Sequence, residues 1–279
     1  MKKIGLLLSA SFLALSLDAQ IQAPAPSPTA TMSQQVGLTD VKLEYSRPSA
    51  KGRKVYGDLV PFGEMWRTGA NGATKLTFSD SVQFNGKWLQ KGTYALYTIP
   101  AKDEWTIVLS KNTGNWGSNG YKMEDDAARF NLKSATMSDK TETFTINIAD
   151  CANNDAKIEL TWENTRVSIP FTVPTDAKMM AAIKSTMNGP SGDSYFAAGR
   201  YYLESGKDMT QALTWVNKSL EMNGEKFWTL RQKSLIQAKM GDVKGAIETA
   251  TKSRDMAEKE KNMDYVRMNE KSIAEWKKK

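Results

Sequence analysis

Two short segments concentrate the residues best suited to hold a ligand. Tyr45-Ser-Arg-Pro-Ser-Ala-Lys-Gly-Arg53 and Trp66-Arg-Thr-Gly-Ala-Asn-Gly-Ala-Thr74 set Arg47, Lys51, Arg53 and Arg67 among Pro48, Gly52, Gly69 and Gly72, with Tyr45, Trp66 and Asn71 alongside. A guanidinium presents a planar fork of donors that fits a carboxylate or phosphate bidentately. Glycine lets the backbone turn tightly or approach a ligand, so Gly69-Ala70-Asn71-Gly72 is able to turn N–H groups toward the same anion. The ending of a nucleotide-binding P-loop, Gly-Lys-Ser/Thr, is absent. These residues also suit a purely architectural role. Arg47, Arg53 or Arg67, paired with Glu44, Asp58 or Glu64, would pin a corner between strands while Trp66 caps the core. The sequence leaves both readings open.

Other clusters invite other chemistry. The stretch Asn112-Thr-Gly-Asn-Trp-Gly-Ser-Asn-Gly-Tyr121 offers Trp116 and Tyr121 as faces to stack on a sugar ring, with asparagines for its hydroxyls. The competing reading is a loop with one aromatic folded onto a sheet. Glu44, Asp58, Glu64 and Glu124-Asp125-Asp126 supply the carboxylates a glycan hydrolase would need in pairs across a cleft. The last three lack the alternating acids and glycine of an EF-hand loop and read as a solvated helix start. Ser49 and Lys51 lack the spacing of a Ser-x-x-Lys pair. In the last third, Tyr201, Tyr202, Trp215, Phe227 and Trp228 would either line a peptide groove or form a helical core. The chain has no histidine. That removes Ser–His and Cys–His relays, His-ligated metals and the usual neutral-pH base. No catalytic residue, cofactor or metal site is therefore assigned. Cys151, the sole cysteine, cannot form an internal disulfide and reads as a small buried residue at a strand end.

The elements that would carry these residues change character along the chain. Residues 1–19 read as a signal peptide: Lys2 and Lys3, an apolar run from Ile4 to Leu17, and a small residue before Gln20. Residues 20–33, with Ala-Pro-Ala-Pro-Ser-Pro, read as a Pro-rich tether. Across 34–174 come short alternating runs: 41–45, 76–78, 82–84, 94–99, 105–109, 143–148, 158–162 and 167–173. Asn85-Gly86, Lys91-Gly92 and Asn153-Asn154-Asp155 separate several of them. Connections too short for crossover helices imply antiparallel pairing, hence a β-sandwich or jelly-roll-like domain. A longer excursion ends in an expected helix over 124–130.

After Pro174 the period becomes helical. A linker helix over 176–187 precedes a repeat in which Gly206, Ala212, Ser219 and Leu220 are echoed by Gly241, Ala246, Ser253 and Arg254. The spacing of about 34 residues, with Gly at the turn and Ala where helices approach, resembles the tetratricopeptide repeat, although its closing Pro is missing. A last helix over 263–278 would cap the stack. The fold class expected is α+β multidomain: the sandwich over 34–174, then an α-helical tetratricopeptide-like hairpin array over 175–279.

The front domain resembles an uncharacterised bacterial family, domain of unknown function 2911. Tyr45–Arg53, Gly57–Pro61, Trp66–Asn71, Gly92-Thr-Tyr-Ala-Leu-Tyr-Thr-Ile-Pro100 and Trp105 carry the resemblance. It implies a secreted or periplasmic domain, sometimes followed by helical repeats, and contributes no catalytic residues. The net charge of +7 is concentrated at the C-terminal end, where residues 174–279 hold 19 basic and 14 acidic side chains. The expectation is an exported, non-catalytic binding or scaffold protein of the bacterial envelope, periplasmic or secreted. Its ligand would be anionic or a carbohydrate, held by Arg47, Lys51, Arg53, Trp66, Arg67, Asn71, Trp116 and Tyr121, with a protein partner on the helices. Nucleic acid and a transmembrane segment are not expected. A carboxylate-dependent glycan hydrolase and a purely structural module are the alternatives.

Overall fold

The computed structural model describes residues 23–186 and 189–278. The leader read at residues 1–19 lies outside them. The chain divides at Pro174/Thr175 into two compact units.

The first unit is built of β-strands joined by antiparallel pairings. In chain order they are β1 (Thr29–Val36), β2 (Thr39–Ser46), β3 (Thr74–Phe78), β4 (Val82–Phe84), β5 (Lys87–Leu89), β6 (Gly92–Ile99), β7 (Glu104–Ser110), β8 (Asp126–Lys133), β9 (Ala135–Ala149) and β10 (Asp155–Thr172). One sheet runs β1-β2-β3-β6-β7-β8 and the other β5-β4-β10-β9. The inward residues of both form one core, in which Trp105, Trp162, Phe78, Phe84, Phe144, Leu43 and Ile158 are essentially inaccessible to solvent. The alternation in β2, with Val41, Leu43 and Tyr45 buried and Lys42 exposed, is that of a half-buried strand.

Several expectations need correcting. β1 begins at Thr29 and pairs along its length with β2, so the last residues of the expected tether are sheet. The segment expected as a helix over 124–130 is a 3-10 turn at Met123–Asp125 followed by β8. β8 is an edge strand on β7 that buries Ala127, Ala128 and Phe130, so sheet pairing overrides the helical preference of its alanines. The runs 158–162 and 167–173 belong to one strand, β10. Its inward residues switch from even (Ile158, Leu160, Trp162) to odd (Val167, Ile169, Phe171) across irregularities flanking Glu163, which adopts φ +48°. A bulge of this kind lets both halves face the core. Cys151 is exposed.

The second unit comprises α1 (Thr175–Thr186), α2 (Gly192–Glu204), α3 (Met209–Asn223), α4 (Phe227–Lys239), α5 (Val243–Lys259) and α6 (Met263–Trp276). Ser191, Asp208, Asp242 and Asn262 cap α2, α3, α5 and α6 through side-chain oxygens that accept first-turn N–H groups. From α2 to α6 each helix packs against the next, and α2 also touches α4 as α4 touches α6. The repeated small residues sit where helices approach: Ala212, Ala246, Ser219 and Ser253 are all buried. Gly199 leaves no room for a methyl group, because a Cβ there would lie 2.6 Å from Val216 Cγ2.

Candidate functional site

Both motif segments lie along the long connection from β2 to β3, residues 47–73, with Tyr45 and Ser46 ending β2 and Thr74 starting β3. That connection is stitched to both sheets. Ser49 bridges to Thr143 on β9, and Trp66 bridges to Thr98 on β6. Its first part follows the free edge of β9 residue by alternate residue. The Tyr45 hydroxyl accepts from Ile146 N–H at 2.9 Å and reaches the Ile146 carbonyl at 3.2 Å. Arg47 donates through Nε to the Phe144 carbonyl at 3.1 Å and through Nη2 to Thr145 Oγ1 at 2.7 Å. Ser49 and Thr143 hydroxyls meet at 2.8 Å. An open sheet edge carries unpaired backbone groups, and Tyr45, Arg47 and Ser49 cover this one. Arg47 is thus an architectural residue, but its partners are a strand's carbonyl and hydroxyl, not a carboxylate.

The chain then turns sharply at Lys51 and Gly52, with φ of +51° and +75°. This returns Arg53, whose Nε and Nη2 donate to the carbonyls of Ala50 at 2.9 Å and Ser49 at 2.7 Å. Lys51 is exposed and held through its backbone N–H on Glu142 Oε1 at 2.6 Å. Further on, the Trp66 indole donates to the Gly69 carbonyl at 3.1 Å, and Arg67 Nη1 donates to the Asn71 carbonyl at 2.9 Å. Asn71 Nδ2 reaches Ser46 Oγ at 3.2 Å. This loop is strained. Thr68 is fully buried at φ +55°, a conformation that β-branched residues rarely adopt. Gly69 at φ +152° is packed so closely that a Cβ would stand 2.9 Å from the Ser46 carbonyl. Left-handed backbone over-determined by its surroundings is common where a loop must hold a fixed geometry.

Between these two turns lies an open cleft of about 270 Å³. Arg53, Trp66, Arg67 and Asn71, all singled out in the sequence, line it, together with Gly69 and Ala70. Sequence reasoning missed Ser27, Pro48, Leu59, Val60 and Trp162, which complete the walls. Trp162 lies on β10, far from the loop in sequence, and nothing in its strand pattern distinguishes it from an ordinary core residue. Trp66 and Trp162 stack at 5.9 Å and 21°, and the rings of Tyr56 and Phe144 brace both. The aromatic base is therefore rigid.

The cleft's electrostatics are one-sided. Among the described residues, neither Arg53 nor Arg67 pairs with a carboxylate; their acceptors are carbonyl oxygens. Glu44 pairs instead with Lys42 at 3.0 Å. Glu44, Asp58, Glu64 and Glu124–Asp126 are all absent from the cleft's lining. The N–H groups of Gly69 and Ala70 make no hydrogen bond among the described residues. Two guanidinium groups and a run of backbone donors thus border a small cavity that holds no counter-charge of its own.

The other aromatic loop, which joins β7 to β8 of the same six-stranded sheet, reaches the same place. Gly117, at φ +71°, packs against Arg67, where a Cβ would lie 2.9 Å from Nη1 and 3.0 Å from Cζ. Its neighbour Trp116 is 69% exposed. Tyr121 is not a free stacking face. Its hydroxyl donates to Asp126 at 2.9 Å and accepts from Arg129, and its ring sits edge-on to Tyr97 at 5.4 Å. Burial and then Asp126 raise its pKa. In the helical unit, Tyr201 and Phe227 are buried and Tyr202 packs edge-on to Trp215 at 4.7 Å, so these aromatics form core. Among the described residues no group of three or more acidic, Cys or His side chains is placed to hold a metal ion, and no helix is long and apolar enough to cross a membrane.

The family model described as "Protein of unknown function (DUF2911)" matches residues 27–171. That span takes in both motif segments and every residue lining the cleft. No curated protein and no solved structure matches the chain.

Proposed function

The chain belongs to the family of proteins of unknown function DUF2911, which leaves its activity to be argued from its own geometry, and we propose that it is an exported binding protein of the bacterial envelope whose front domain recognises a small anion. The carrying observation is that Arg53 and Arg67 border one open cleft with no carboxylate partner. Their remaining donors, Arg53 Nη1 and Arg67 Nε and Nη2, suit a carboxylate or phosphate oxygen. The Gly69 and Ala70 amides add neutral donors of the kind found in anion-binding nests. A volume of about 270 Å³ admits the charged end of a ligand and little more, so a larger ligand would extend past the rim toward Trp116. This favours an anionic group over a neutral glycan as the feature recognised. The carboxylate-dependent hydrolase loses support, because no Asp or Glu lines the cleft.

Export rests on the leader-like residues 1–19, with cleavage before Gln20, and is tested by mass spectrometry of the mature N-terminus. The helical unit is assigned to protein contact, supported by exposed Met222, Met240, Met263 and Met268, since methionine adapts readily to a partner surface. Binding is tested by nuclear magnetic resonance titration of the mature chain with inorganic phosphate and acetate. Saturable shifts at the Gly69 and Ala70 amides, abolished in Arg67→Ala, are the expected result. Shifts that persist undiminished in Arg67→Ala and Arg53→Ala would refute the proposal.

A further inference from the structure

A second basic cleft lies at the opposite kind of place, on the seam where the edges of the two sheets meet. β5 is the end strand of the four-stranded sheet and β8 of the six-stranded one. Between them, a cavity of about 350 Å³ is lined by Lys87, Trp88, Lys91, Thr93, Lys111 and Asp126, among others. It shares no lining residue with the Arg53/Arg67 cleft. The hairpin carrying Lys87 and Trp88 is fixed by the left-handed pair Asn85 and Gly86, at φ +46° and +80°. Gln83 Nε2 donates to the Gly86 carbonyl at 3.1 Å, and the Tyr94 hydroxyl donates to the Gln90 carbonyl at 2.7 Å.

The charges are unbalanced. Asp126 faces the cavity, but its oxygens already accept from Tyr121 and from Arg129, each at 2.9 Å. Lys87, Lys91 and Lys111 form no ion pair among the described residues. Three like charges around one cavity repel, and an anion between them relieves that repulsion. Trp88, which lines the same cavity, is 47% exposed and so offers an apolar surface beside the lysines.

We infer that this seam is a second anion site, taking a phosphate ester whose apolar portion packs on Trp88. Lysines suit phosphate as point charges that need no planar match. The phosphate could be that of a soluble ester or of a lipid headgroup, and the two sources separate experimentally.

The full mature chain is titrated with inorganic phosphate while the Trp88 indole N–H is followed by nuclear magnetic resonance. In parallel it is sedimented with phosphatidylcholine vesicles containing or lacking phosphatidylglycerol. The expected result is a saturable Trp88 shift, weakened about tenfold in a Lys91→Ala/Lys111→Ala double variant and unaffected by Arg67→Ala. Co-sedimentation with the anionic vesicles, lost in the double variant, identifies a headgroup as the source; a Trp88 shift without co-sedimentation identifies a soluble ester. Absence of both signals, or signals undiminished in a double variant of unchanged melting temperature, overturns the inference. If the double variant is unstable, Lys87→Gln at the exposed hairpin gives the same reading.

Discussion

Arginines that look equivalent in the sequence have separate duties. Arg47 hydrogen-bonds the Phe144 carbonyl and Thr145 hydroxyl on the edge of β9. Removing it deprives that carbonyl and hydroxyl of its two donors, so Arg47→Ala should cost about 1–3 kcal/mol of stability while the amide shifts at Gly69 and Ala70 persist. Arg67 donates one hydrogen bond to an exposed carbonyl, so Arg67→Ala should lower stability by less than about 1 kcal/mol and abolish anion binding. Chemical denaturation and titration of the two variants distinguish the roles; reversed effects would exchange them. Gly117→Ala offers a test that keeps every charge. Its left-handed backbone and its closeness to the Arg67 guanidinium mean that a methyl group must displace Arg67, and binding should weaken with Arg67 still present. The sequence singled out Arg53, Trp66, Arg67 and Asn71, which line one cleft, because Arg, Gly and Trp are uncommon together in a loop. It could not assign their roles, because direction is set by β9 and β10, which the loop meets only in the fold.

At the scale of elements, what was legible followed from periodicity. β2, β3, β4, β6 and β7 announce themselves by alternation, and α2 to α5 by the recurrence of Gly206 and Gly241 and of Ala212 and Ala246. β1 and the first half of β9 did not, since Thr29–Val36 and Ala135–Glu142 are polar edge segments with little buried surface. β10 looked like two strands because its bulge reverses which parity faces inward. The helical unit offers a prediction of its own. Asp176 on α1 accepts from the Tyr201 hydroxyl on α2 at 2.6 Å and pairs with Lys207 at 2.7 Å. Lys207 and then Tyr201 hold the Asp176 carboxyl below its usual range, while burial and then Asp176 push Tyr201 up to about 12. Asp176 is therefore stabilising above its unfolded pKa, about 4, and loses that contribution as pH falls through its lower folded value. Tyr201 is stabilising below its unfolded pKa, about 10, and loses that contribution as pH rises toward about 12. The attachment of α1 should weaken at both extremes, followed by fluorescence of Trp215, which packs in the same cluster. Asp176→Asn should remove the acid limb and Tyr201→Phe the alkaline one; limbs unmoved by these changes would assign the transitions elsewhere.

For the whole molecule, composition sets the limits within which a binding mechanism works. Without histidine, the protein lacks the side chain that ordinarily changes charge between pH 5 and 8. Affinity for a carboxylate should therefore be nearly constant across that range. Affinity for a phosphate monoester should rise as its second proton leaves near pH 6. A tenfold change in carboxylate affinity, measured by calorimetry, would contradict this and implicate a titrating protein group. The two units present different surfaces: a sandwich whose loops converge on Arg53 and Arg67, and helices whose aromatic residues are mostly consumed in packing. The most direct test of the account is the phosphate titration followed at the Gly69 and Ala70 amides in wild type, Arg47→Ala and Arg67→Ala. The account predicts saturable shifts in the first two and none in the third. Shifts retained in Arg67→Ala, or absent from the wild type, would contradict it.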